Sequence, residues 1–165
     1  EIPNEAIPYL EAYRGFCAFL EAHGGFIISS EKAVWNKTEG YAGTYDRLIQ
    51  FDCDCHRGLW CVDLKTSRDY YPEFGLQCIA YSHAEYIVLP DDPTLYPMPQ
   101  VDRMGVLHLR PDKYPGPFSE AWRLVEYPTT DRDWVAFLAA LDLYKWRAEG
   151  RFRKSILNST TQKPI

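Results

Sequence analysis

Three short segments of this 165-residue chain carry polar side chains at spacings that chemistry can use. They are Gly43-Thr44-Tyr45-Asp46, then Asp63-Leu64-Lys65, then the pair Gln77 and Tyr81. Read singly, none is distinctive: an aspartate often only caps a turn, and a DxK triplet arises by chance. Read together, two aspartates carried on neighbouring strands can converge on one hard cation. Mg²⁺ or Mn²⁺ takes oxygen donors from few protein groups. One or two such ions activate a water and neutralise a leaving oxygen, which is what phosphodiester hydrolysis requires. Asp63 and Lys65 are two apart on a strand and so share a face. The Leu64 side chain points the other way, while its carbonyl can turn toward a metal where the strand is distorted. A lysine there can orient a metal-bound water or stabilise a charged phosphate. Gln77 and Tyr81, at i and i+4 of a helix, share a face that can touch a phosphate, a base or Lys65.

The elements that must position these groups follow from hydrophobic period and turn chemistry. Tyr9, Leu10, Tyr13, Phe16, Cys17 and Leu20 recur at helical spacing over 8–23, and Gly24-Gly25 stops that helix. Strands are expected over 26–35, 41–52 and 59–67, joined by polar turns at 36–40 and 53–58, which reads as an antiparallel meander. Pro72 fits the start of a second helix, with Leu76, Ile79, Ala80, His83 and Tyr86 along one face. A strand over 86–90, a proline-rich loop over 91–100 and two further strands within 101–111 and 121–128 come next. A last helix over 131–150 has apolar positions at Trp134, Phe137, Leu138, Leu141 and Tyr144, with Gly150 as its stop. The order predicts one α+β domain over 1–150 with a mixed central sheet and a C-terminal helix, followed by a loose basic tail over 151–165.

Composition bounds the function. The net charge of −5 gives no basic footprint, yet a carboxylate-built site is itself acidic and a bound ion reverses its local sign. Aromatic residues make up 15% of the chain, which serves thick packing or base stacking. Five cysteines at irregular spacing make a poor disulfide framework and point to a reducing, cytoplasmic setting. Cys53, Cys55 and His56 fall short of the four paired ligands of a structural zinc site and read as turn residues. No apolar run is long enough to span a membrane.

The segments GYAGTYDRLI (40–49), LWCVDLKTS (59–67) and FGLQCIAYSHAEYI (74–87), in this order, resemble the RecB-like branch of the PD-(D/E)xK nuclease superfamily. The likeness covers 26–90 well, and phage-encoded and mitochondrial single-strand exonucleases of the branch are the most similar. It implies a restriction-endonuclease-like core of helix, three-stranded meander, helix and strand. It also implies metal ligation by Asp46, Asp63 and the Leu64 carbonyl, a catalytic Lys65, and substrate contacts from Gln77 and Tyr81. The implied activity is Mg²⁺- or Mn²⁺-dependent cleavage of DNA, single-stranded or bearing an end, in recombination, repair or phage replication, in the host cytoplasm if phage-encoded. The alternatives are a catalytically silent member of the family that binds DNA or a protein partner, and an unrelated binding domain. Glu31, on the first strand, is either an assisting acid or an ordinary edge residue. Two family features are missing. His23, beside a glycine pair, does not match the metal-binding histidine that many members carry on an upstream helix, and the cysteines do not match an iron–sulfur pattern. With Glu1 in place of an initiating methionine, the expectation is a piece of a longer protein lacking an N-terminal helical part, weakly active and favouring Mn²⁺.

Overall fold

Helix α1 (Ile7–Ala22) carries Pro8 in its first turn, where a missing N–H costs nothing, and buries Ala12, Phe16 and Leu20 along one stripe. The structure, a computed structural model, describes residues 2–114 and 116–149. Gly15 lies on the same helix because the 3₁₀ turn Phe118–Glu120 runs against it: a β-carbon there would stand 1.7 Å from the Ser119 carbonyl oxygen.

Seven strands form one mixed sheet. They are β1 (Gly25–Asn36), β2 (Tyr41–Phe51), β3 (Gly58–Lys65), β4 (Tyr86–Leu89), β5 (Asp92–Pro97), β6 (Arg103–Leu109) and β7 (Trp122–Glu126), in the order β5-β4-β1-β2-β3-β6-β7. All neighbours are antiparallel except β3 and β6, which run parallel with Lys65 beside His108. The β1–β2–β3 meander is the one expected from the alternating pattern. β3 ends at Lys65, short of the expected Ser67.

The proline-rich 91–100 segment is not a loop: Asp92–Pro97 is the edge strand β5, paired with β4 through Ile87↔Tyr96 and Val88↔Leu95. An edge strand leaves one side of its backbone without partners, so Pro93 and Pro97 are accommodated there.

Helix α2 (Glu73–Ser82) begins directly after Pro72, and α3 (Asp131–Ala148) starts at a capping box made by Thr130 and Asp133. α1 packs on one face of the sheet, where Phe16 and Leu20 meet Ile49, Phe51, Trp60, Val62 and Leu107. α2 packs on the other, where Cys78 and Tyr81 meet Tyr45, Leu48, Cys61 and Val106. Each fully buried large apolar side chain in these layers contributes about 1.5–3 kcal/mol. α3 lies against α2 and the start of β2, with Trp134 stacked on His83 and Phe137 edge-on to Tyr41. Tyr144, grouped by period with the packed face, is 71% exposed. Gly150 and the expected 151–165 tail lie outside the described residues. Among the described residues no helix is long and apolar enough to cross a membrane.

Candidate active site

The site is set where one strand ladder ends and its neighbour skips a pair. β2 and β3 pair through Arg47↔Val62, and the next step of that register sets Asp46 opposite Asp63. The pairing stops there. The Leu64 N–H, freed from β2, donates instead to Asp46 Oδ2 at 2.6 Å. On the other side of β2, Ser30 pairs with Arg47 and Lys32 with Tyr45, leaving Glu31 and Asp46 facing each other without a backbone pair. Glu31 has φ +52°, the one left-handed non-glycine among the described residues. Such backbone costs of order 1–3 kcal/mol and is held by its surroundings. The register thus aligns Glu31, Asp46 and Asp63 in one row across three strands.

Side-chain alternation places Asp63 and Lys65 on the α2 face, with Trp60, Val62 and Leu64 on the α1 face. Asp63 is 3% exposed. The Lys65 ammonium lies against its Oδ2 as an ion-pair partner, and no other donor among the described residues reaches this buried oxygen. Burial pushes the Asp63 carboxyl above the usual aspartate range; Lys65 pulls it back and Asp46 adds to the rise. Lys65 Nζ also donates to Gln77 Oε1 at 3.0 Å, and Gln77 Nε2 donates to the Tyr81 hydroxyl at 2.7 Å. A lysine can only donate, so the Gln77 amide is oriented, and the Tyr81 hydroxyl keeps its own proton to offer. Burial raises that phenol to about 12, the Gln77 contact opposing and the two aspartates adding to the effect. Gly43 is explained by the same ring: a β-carbon there would lie 3.0 Å from Tyr81 Cε1.

Asp46, Asp63, Lys65, Gln77 and Tyr81 therefore form one chain of contacts. Leu64 joins it through its N–H on Asp46. Glu31, though in the row, turns its 65%-exposed carboxylate to Arg47 Nη1 at 2.9 Å. Arg47 was not singled out by sequence. It binds Tyr13 of α1 through Nε and donates to the Asp46 carbonyl, so it braces the strand at the point where the ladder breaks. Its signal was a charge beside Asp46 in an otherwise apolar strand. His23 caps α1 with Nδ1 on Phe19 O, just before Gly25, which pairs with Phe51 at the end of β2, away from Asp46 at its middle.

A second set of residues fixes the loop that follows Lys65. His108, fully buried, directs Nε2 at Ser67 O and Nδ1 at the Tyr114 hydroxyl, both at 2.7 Å, and Tyr114 in turn meets Tyr70. Because a carbonyl only accepts, Nε2 carries the proton and Nδ1 accepts. Arg110 also donates to Ser67 O and pairs with Asp112. These side chains come from two distant segments, so no local spacing announces them.

Two of the surface depressions lie on opposite faces of the sheet. One, of about 690 Å³, lies between the start of β2, α2 and α3, and Gln77 and Tyr81 form part of its wall. The other, of about 500 Å³, lies on the α1 face around Phe19, Trp60 and Trp122 and shares no residue with the site. At the 53–58 turn, Cys53 and Cys55 bring their sulfurs to 3.3 Å. Among the described residues no three or more His, Cys, Asp and Glu side chains come together as a metal cage. The Asp46–Asp63 pair is a more open arrangement: two carboxylates, one with a buried oxygen whose one partner among the described residues is Lys65, beside a backbone unit freed from the ladder. Hard oxygen donors in that number suit an ion that completes its shell with water. In comparisons with known proteins, no family model matches the chain, and neither does any curated protein.

Proposed function

We propose that this chain is a metal-dependent deoxyribonuclease acting in the cytoplasm as a DNA exonuclease. The observation that carries the reading is the contact chain Asp46–Leu64, Asp63–Lys65–Gln77–Tyr81, built around a buried carboxylate oxygen whose partner is the Lys65 ammonium alone among the described residues. A buried carboxylate whose one counter-charge is a lysine keeps further lone pairs, and a cation is a partner that would use them.

Asp46, Asp63 and the Leu64 carbonyl would hold Mg²⁺ or Mn²⁺. A bound ion of this kind supplies Lewis-acid polarisation of a phosphate and a more acidic water. The remaining work falls to the protein. Lys65, between Asp63 and Gln77, holds a cation where a scissile phosphate would develop charge. Gln77 fixes the direction of the lysine. Tyr81, protonated throughout the physiological range, offers a donor to a phosphate oxygen or a base edge. Asp46 secures the Leu64 peptide beside the carboxylates.

The test is hydrolysis of single- and double-stranded DNA labelled at the 5′ or 3′ end, with Mg²⁺ or Mn²⁺ against EDTA, alongside calorimetric titration of Mn²⁺. Metal-dependent release of nucleotides from an end supports the reading. Mn²⁺ binding lost in Asp63→Asn without any cleavage by the wild type leaves a silent binding domain.

A further inference from the structure

The cleft between β2, α2 and α3 shares a wall with the candidate centre, because Gln77 and Tyr81 face both. The rest of its lining is aromatic and aliphatic. Tyr41 and Phe137 meet edge-on at 4.9 Å, and the Tyr41 hydroxyl is already occupied by the Ala80 carbonyl, so the floor presents ring surface and not polar atoms. At the mouth stands Tyr144, exposed over most of its surface. Beside it is Lys145, whose ammonium is held by the Glu39 carbonyl at 2.6 Å. Among the described residues no carboxylate pairs with that ammonium.

Flat apolar walls, an exposed tyrosine and a cation that no carboxylate pairs among the described residues match a planar aromatic group attached to an anion. A volume of about 690 Å³ is that of a pocket for a small-molecule-sized group. On the reading of the site as a nuclease, which this inference rests on, the nearest such group is a base of the strand whose phosphate lies at Asp46 and Asp63. We propose that this cleft is a nucleotide subsite: it takes one unstacked nucleobase flanking the scissile phosphate against Tyr144 and Phe137, with a neighbouring phosphate at Lys145. A base inside a duplex has both faces covered by its neighbours and cannot enter, so only an unpaired or frayed nucleotide fills the cleft.

The experiment scans single-stranded oligonucleotides that each carry one abasic nucleotide, at successive positions around the cleaved bond. Cleavage rates are compared for wild type, Tyr144→Ala and Tyr144→Phe. Tyr144 is exposed, so neither change disturbs packing. Loss of one base–aromatic stack is worth about 5- to 150-fold. The expected result is one position at which removing the base slows the wild type by that factor. Tyr144→Ala should be slowed on intact DNA by a similar factor and lose all sensitivity at that position, while Tyr144→Phe follows the wild type. A cleaving enzyme with a flat abasic scan overturns the subsite and leaves the nuclease reading standing. So does a Tyr144→Ala enzyme that keeps its sensitivity, or one as fast as wild type on intact DNA. Wild-type protein that neither cleaves nor binds any of the oligonucleotides overturns both.

Discussion

Asp63→Asn is expected to stabilise the metal-free protein at neutral pH. The carboxylate is almost wholly buried, and its Oδ2 has the Lys65 ammonium as its one partner among the described residues. Burial, with Asp46 adding to it, holds the carboxyl above the usual range against the pull of Lys65. A group with a raised folded-state pKa holds its proton more tightly folded than unfolded. Its contribution is therefore fully present at low pH and is lost as pH rises from the ordinary aspartate value through the folded one. Asparagine has nearly the same shape and removes that loss. A buried polar atom short of donors costs about 1–3 kcal/mol and a charged one more, so the amide, which leaves a polar atom in place, removes only the difference. Lys65 gives part of this back, since it loses a counter-ion, although it keeps the Gln77 oxygen and partial access to solvent. The net gain is about 1–2 kcal/mol, or a rise of about 2–8 °C in Tm for a chain of this size. Thermal unfolding followed by circular dichroism in EDTA at pH 7 and pH 3 measures it. The gap should be positive at pH 7 and close at pH 3. A variant less stable than wild type at pH 7, or a gap that widens on acidification, refutes the claim that the fold holds a destabilised charge there.

Asp46→Ala, Asp63→Ala and Lys65→Ala should each abolish DNA cleavage in an end-label assay, with Mn²⁺ affinity by calorimetry falling for the two aspartates and not for the lysine. Tyr81→Phe removes one hydroxyl contact, so its kcat/KM should fall by about 5- to 150-fold and stay above that of Lys65→Ala. Gly15→Ala should destabilise by about 1–3 kcal/mol in urea titration despite the better helix propensity of alanine, because its methyl group meets the Ser119 carbonyl. Burial holds the His108 imidazole below its ordinary pKa, so the unfolded chain takes up the proton first. Stability should then decline as pH falls below about 6.5, and urea unfolding across pH 5–8 should show this limb flattened in His108→Asn.

Local patterns carried much of the fold and the part of the site that depends on period. The meander was legible because alternation and tight turns are properties of neighbouring residues, and α1 and α3 because their stripes repeat within one helix. The placement of Asp63 and Lys65 on one face, and of Gln77 and Tyr81 on another turned toward them, follows from periods of two and four. What was not legible depends on distant partners. Nothing near β6 says that it inserts parallel beside β3, and nothing near β5 says that Pro93 and Pro97 sit on an edge where they cost no ladder bond. Arg47 could be seen as a charge, but not as a brace, until Tyr13 of α1 stood beside it. The network of Ser67, Tyr70, His108 and Tyr114 joins the β3–α2 loop to β6 and the segment after it, with no spacing to read.

The break in the sheet at Asp46 then has a physical reason. Facing alternation runs evenly along β2 from Arg47 to Phe51, with Arg47 and Ile49 toward α1 and Leu48 toward α2. Tyr45 also packs on the α2 side, so one step is lost at Asp46. Continued regular pairing would put Asp46 and Asp63 directly opposite each other, and like charges opposite across an antiparallel pair repel. The fold instead ends the ladder there, gives Asp46 the freed Leu64 N–H, draws Glu31 away to Arg47 through a left-handed residue, and leaves Asp63 with Lys65 as its counter-charge. These adjustments give Asp46 a hydrogen bond and Glu31 and Asp63 a counter-charge each, while Asp46 still lies near enough to raise the Asp63 carboxyl. A chain selected only for stability would place valines in this row. Glu31, Asp46 and Asp63 stand in one row across three strands with the ladders opened around them, and the proposed metal site would use that row.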